Sequence, residues 1–127
     1  MKIKIRAPFG KLLEMKVLEA KDGFGKVVMP YRKQFTNPHG LIHGGVICSL
    51  ADTAAAVALA TKYGDRTYST AKLEMGFKSA IEDGEIFAEA RIIKRKGKFL
   101  FCKIEVNDGK KKLLATGSAV YFVPSEK

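Results

Sequence analysis

Asn37-Pro38-His39-Gly40-Leu41-Ile42-His43-Gly44-Gly45, with Asp52 nine residues beyond His43, sets the reading of the whole chain. The glycine pair opens a long, almost wholly apolar run, and one carboxylate is left inside that run. Glycine at a helix start lets a ligand approach backbone N–H groups closely, and the helix dipole there favours developing negative charge. A carboxylate in an apolar helix is costly unless it is paired or hydrated. The combination suggests an anion hole and a catalytic carboxylate.

The helix is expected from about His43 to Tyr63, some six turns, with Gly64 as its C-cap. Val46, Ile47, Leu50, Ala54, Val57, Ala58 and Leu59 cover much of its circumference, so it is expected to be enclosed. Before it, residues 12–20 fit helix or strand, and Lys21-Asp-Gly-Phe-Gly25 followed by an apolar run suggests a hairpin. After it, residues 67–79, 85–95, 98–107 and 112–123 read as strands. Turns at Asp83-Gly84, Lys96-Gly97 and Asp108-Gly109 separate them, which predicts an antiparallel meander. One buried helix and about six strands make an α+β fold, a single domain over residues 1–127 whose sheet wraps the helix. Such a one-layer sheet has open edges, so at least a homodimer is expected.

Composition is that of a folded soluble protein, with 46% apolar and 28% charged residues. No segment offers about 18 uninterrupted apolar residues, as a membrane span would. The charged N-terminus lacks a signal-like apolar stretch, so the expected location is cytoplasmic, with no membrane partner. The net charge of +10 fits nucleic acid, an anionic membrane or a phosphorylated small ligand equally. The basic clusters Lys94-Arg95-Lys96-Gly-Lys98 and Lys110-Lys111-Lys112 lie beside glycines and read first as solvated hairpin turns. No nucleic-acid-binding motif accompanies them, and none is expected as a partner. Cys48 and Cys102 read as buried hydrophobes, and with only His39 and His43 besides, a zinc site lacks ligands.

In Asn37, Gly40, His43-Gly44-Gly45, Leu50-Ala51-Asp52, the alanine-rich helix and the strand order, the chain resembles hotdog-fold acyl-CoA thioesterases of the phenylacetate-degradation (PaaI-like) type. The resemblance implies hydrolysis of a fatty or aromatic acyl-CoA to the free acid and CoA, without a metal or organic cofactor. It implies that the Gly44 N–H polarises the thioester carbonyl, that Asp52 attacks or activates water, and that Asn37 helps place the nucleophile. His43 becomes an orienting residue, Thr70 an assisting hydroxyl, and Gly45 a position against substrate. The family's Phe-Leu-Arg-Pro-like segment is replaced here by Phe77-Lys78-Ser79-Ala80. Lys94, Arg95, Lys96 and Lys98 are therefore candidates for holding the CoA phosphates.

Helical geometry adds a constraint of its own. The nine residues from His43 to Asp52 rise roughly 13 Å, whereas hydrogen-bond reach is about 3 Å. Gly44 and Asp52 of one chain cannot both act on one carbonyl group; two antiparallel chains can. A homodimer at minimum follows as an expectation, and with the hotdog thioesterase resemblance the expected assembly is a homotetramer built as a dimer of dimers.

Each residue also has a plainer reading. Asp52 could be a packing residue bonded to a loop, Asn37 a turn-former, and His39 a surface-loop residue. The leading alternative function is a non-catalytic acyl-CoA-binding or sensing module on the same fold. A dehydratase would pair a catalytic histidine with an acid in an arrangement this sequence lacks.

Overall fold

In the computed structural model, residues 3–64 and 68–123 are described. A short helix α1 (Pro8–Leu12) leads into strands β1 (Lys16–Lys21) and β2 (Phe24–Met29). A single 3-10 turn, Lys33–Phe35, precedes the central helix α2 (Gly44–Tyr63). Strands β3 (Ser69–Phe77), β4 (Ile86–Lys96), β5 (Phe99–Asn107) and β6 (Leu113–Phe122) follow. The six strands form one antiparallel sheet in the order β1-β2-β4-β5-β6-β3, wrapped around α2. The α+β hotdog architecture is that expected.

The meander holds only for β4, β5 and β6. Strand β3 pairs with β6, register Thr70↔Tyr121 to Phe77↔Ala115, while β4 takes β2 as its other neighbour. Asp83-Gly84 is therefore a turn within a crossing segment and not the tip of a β3–β4 hairpin. That segment is anchored by buried Ile81, whose carbonyl accepts the Ile42 N–H at 3.0 Å. The physical reason lies in β4. It carries Ile86, Ala88 and Ala90 inward beneath the helix, so it is a central strand paired on both sides. The ambiguous stretch 12–20 resolves into the end of α1, a turn through Glu14 with φ of 59°, and β1.

The helix rests on the sheet with almost no spacer. A Cβ placed on Gly25 of β2 would lie 2.6 Å from the Ala54 carbonyl oxygen and 2.8 Å from the Ala58 nitrogen. Only glycine admits backbone this close. Eight helix residues, from Ile47 to Leu59, are buried against the sheet. Although Asp52 and small polar residues interrupt it, the 20-residue α2 contains an 18-residue stretch of mean hydropathy 1.5, long and apolar enough by those measures to cross a membrane. The apolarity reflects the buried face. The other face carries Gly45, Ser49, Asp52, Ala56 and Ala60, which are exposed or only partly buried. Both β1 and β3 are edge strands, and β3 is largely exposed.

Candidate active site

The start of α2 is built locally. His43 caps it with extended backbone (φ −61°, ψ 136°), its Nδ1 accepting the Gly45 N–H at 2.9 Å. Its carbonyl takes the Val46 and Ile47 N–H groups at 2.9 and 3.2 Å, and its own N–H donates to Phe35 at 3.0 Å. The exposed imidazole is thus the helix cap. Gly45, expected against substrate, has its N–H occupied by that cap. The Gly44 N–H meets no acceptor among the described residues, which leaves it the donor at this helix tip.

Upstream, Asn37 closes a turn: its Oδ1 accepts the His39 and Leu41 N–H groups at 2.9 and 3.2 Å. Its own N–H donates to the Leu41 carbonyl at 2.7 Å, and Tyr31 Oη ties the turn down by donating to Gly40 at 2.6 Å. The side-chain oxygen is spent on this turn. Its amide nitrogen has no acceptor among the described residues. His39 lies exposed in the same loop.

Asp52 is assembled by the fold. Thr70 Oγ1 of β3 donates to its carboxylate, lying 2.9 Å from Oδ1 and 3.2 Å from Oδ2. Tyr121 of β6, only 2% exposed, brings its Oη within hydrogen-bonding distance of Asp52 Oδ1 and 2.6 Å from the Asp52 carbonyl oxygen. Burial, followed by the Asp52 charge, pushes the Tyr121 hydroxyl far above the ordinary phenol range, so it stays a neutral donor. Both hydroxyls have one proton each to give, and the half-buried carboxylate keeps lone pairs free for water or substrate. Thr70 stands where the resemblance placed it. Tyr121 was missed; its only signal was a polar tip at an inward position of the last strand, which must find a partner.

The remaining candidates are not gathered here. Lys94, Arg95, Lys96 and Lys98 form the β4–β5 hairpin beside the far end of α2. The Arg95 guanidinium covers the Tyr63 ring at 5.2 Å, and Lys94 covers the Phe101 ring at 4.8 Å. Tyr63 is eleven residues past Asp52, roughly 16 Å along the axis. Within one chain the cluster therefore meets neither Asp52 nor Gly44. Lys110–Lys112 form a solvated turn, as read, with Asp108 Oδ1 accepting the Lys110 and Lys112 N–H groups at 2.8 and 3.2 Å. Cys48, one turn before Asp52, is only half-buried, not fully buried as expected. Burial first and the Asp52 charge second hold its thiol above the usual range. Burial pushes Cys102 up to about 12.

Strand β3 runs alongside the first half of α2 in the opposite direction. Thr70 touches Asp52, while the 53%-exposed Phe77 ring sits beside Gly44, 3.5 Å from where a Cβ would be.

The thioesterase superfamily profile matches residues 39–115, which span the helix tip, Asp52, Thr70 and the start of β6. The chain belongs to the thioesterase superfamily. A relative from Archaeoglobus fulgidus, whose name marks it as a candidate esterase, is 31% identical over 116 residues, 91% of this chain and 75% of its own. A mutant of the phenylacetic acid degradation protein PaaI from Thermus thermophilus is similar in structure (TM-score 0.85, 26% identity, 93% of this chain and all 100% of that one). So is a conserved protein from Pseudomonas aeruginosa (TM-score 0.87, 27% identity, 92% and 94% covered). This thioesterase-superfamily chain is PaaI-like, and its class is that of a hydrolase.

Proposed function

We propose that the chain hydrolyses acyl-CoA thioesters at a site shared between two subunits. The observation that carries the reading is the Asp52 carboxylate, set at the open face of α2 by Thr70 and Tyr121. Two β3 edges pairing antiparallel about Leu73 and Glu74 would set Thr70 of one chain opposite the partner subunit's Phe77. That motion carries Asp52 towards the partner subunit's Gly44, which supplies the pairing that one helix cannot. A homodimer is thus the smallest active unit, and two such dimers would form the homotetramer.

In the reaction, Asp52 takes a proton from water as its oxygen attacks the thioester carbonyl carbon, or attacks that carbon itself. The carbonyl oxygen gains negative charge and is met by the partner subunit's Gly44 N–H. One preorganised donor of this kind contributes about 3–4 kcal/mol. The carbon–sulfur bond then breaks and the sulfur leaves as CoA thiolate, which takes up a proton. Attack by water leaves the free acid directly, whereas attack by Asp52 leaves a mixed anhydride that water then hydrolyses to the free acid and the Asp52 carboxylate. Asn37 and Gly45 stand at the helix tip on the substrate side, and the Lys94–Lys98 hairpin of a neighbouring subunit is the proposed phosphate contact. Both cysteines are free, in keeping with a cytoplasmic location.

Thiol release from acyl-CoA tests this. Asp52→Asn is expected to lower kcat by on the order of 100-fold or more, as loss of a general base does. Hydrolysis near the wild-type rate in a folded variant ends the assignment.

A further inference from the structure

We propose that the groove between the N-terminal segment and α2 seats an elongated aliphatic acyl chain. The inference rests on the thioesterase reading and narrows its substrate class. The groove has a volume of about 860 Å³, within the ~300–1,000 Å³ of small-molecule sites. Thr53, Ala56, Val57, Ala60 and Thr61 of α2 line one part of it and Ile3 and Ile5 another, with the charged Lys4, Arg6, Lys21 and Asp22 also in its lining. It follows the helix from Thr53 to Gly64, eleven residues, or roughly 16 Å.

The near end of the groove adjoins the acid. Thr53 follows Asp52 directly, and Ala56 lies one turn on, about 40° around the axis. A thioester held at Asp52 projects its tail over Ala56 and then Ala60. Ala60 is eight residues from the acid, roughly 12 Å, which an acetyl group does not span.

The helix side of the lining asks for methylenes, and the charged residues suit the polar end of the substrate. Thr53 Oγ1 already donates to Ser49 at 2.9 Å, and Thr61 Oγ1 donates to Ala58 at 2.7 Å while accepting the Gly23 N–H at 2.7 Å. The Tyr68 hydroxyl donates to Gly64 at 2.5 Å. The threonine hydroxyls are therefore spent within the fold. Tyr68 is the one aromatic residue in the lining, so a flat ring finds no pair of faces to stack between. Room exists because positions 56 and 60 are alanine.

Full-length protein is assayed against acyl-CoAs from acetyl to palmitoyl. Wild-type kcat/KM is expected to rise with chain length, by up to about fourfold per methylene buried. Ala60→Leu is expected to lower kcat/KM for dodecanoyl-CoA by about tenfold or more, and to leave acetyl-CoA within about twofold. Ala56→Leu is expected to set the cut-off at a shorter chain. A profile that does not move, or that falls equally at every length, overturns the proposal. Fluorescent NBD-dodecanoic acid gives a readout independent of turnover. Weaker binding to Ala60→Leu supports the groove, and equal binding overturns it. If the wild type cleaves no thioester, the thioesterase reading fails and the probe alone decides the groove. A smaller assembly for Ala60→Leu in light scattering also overturns it, since the groove would then seat a second copy.

Discussion

The start and the middle of α2 both belong to the proposed site, but they are built in different ways. At the start the cap is local: His43 caps the N–H two residues on, and Gly44 is left with a donor to offer. In the middle nothing is local: Asp52 is held by Thr70, 18 residues on, and by Tyr121, 69 residues on. An anion-binding helix tip needs only a short motif, whereas a positioned carboxylate needs a finished sheet. Damage at the tip should therefore cost rate without cost to the fold, and damage in the middle should cost some of both.

Gly44→Pro tests the first half of that contrast most severely. Proline suits the first helical position, where its missing N–H has no helical partner, and the extended His43 backbone fits a residue before proline. We expect kcat to fall by about 100- to 1,000-fold, the loss typical of one oxyanion donor. Thermal unfolding should occur no earlier than in the wild type. Unchanged thiol release in this variant would remove the donor role of the tip.

Tyr121→Phe probes the middle. A hydrogen bond to a charged group contributes about 1.5–3 kcal/mol, so kcat should fall by about tenfold or somewhat more with KM little changed. The melting temperature should fall too, which separates this variant from Gly44→Pro. Thr70→Val should behave similarly with a smaller effect on folding, because Thr70 is exposed, and Thr70→Ser should restore the rate.

The smallest expected effect is on Cys48. Only the thiolate reacts with iodoacetamide, so a raised thiol slows alkylation at a given pH. Burial is the larger cause and the Asp52 charge the smaller one. Asp52→Asn removes only the second, so alkylation at pH 8 should quicken by a few-fold and stay slower than for a free thiol. No change would mean that the acid and the thiol do not sense one another.

Element positions were legible because periodicity and turn residues are local signals. The helix limits at Gly44 and Gly64, and the four strands after it, lie within a few residues of the expectation. Sheet order was not legible in the same way. Asp83-Gly84 announces a reversal, but a dipeptide does not say whether the next strand folds back alongside β3 or crosses to β2. The site divides likewise. Gly44, His43 and Asp52 were visible in contiguous sequence, and Thr70 only through the family resemblance. Tyr121 meets Asp52 solely because β6 runs between β5 and β3. Asn37 shows how one residue serves a turn with its oxygen while its nitrogen stays unspent.

Gly25 has no visible part in any reaction, yet it fixes how high α2 rides above the strands. A single methyl group there would work like a shim under a beam, tilting Asp52 away from Thr70 and Tyr121 without touching any of them. In the proposed site, the alignment of Asp52 is thus held partly by an atom that is missing, on a strand with two others between it and β6.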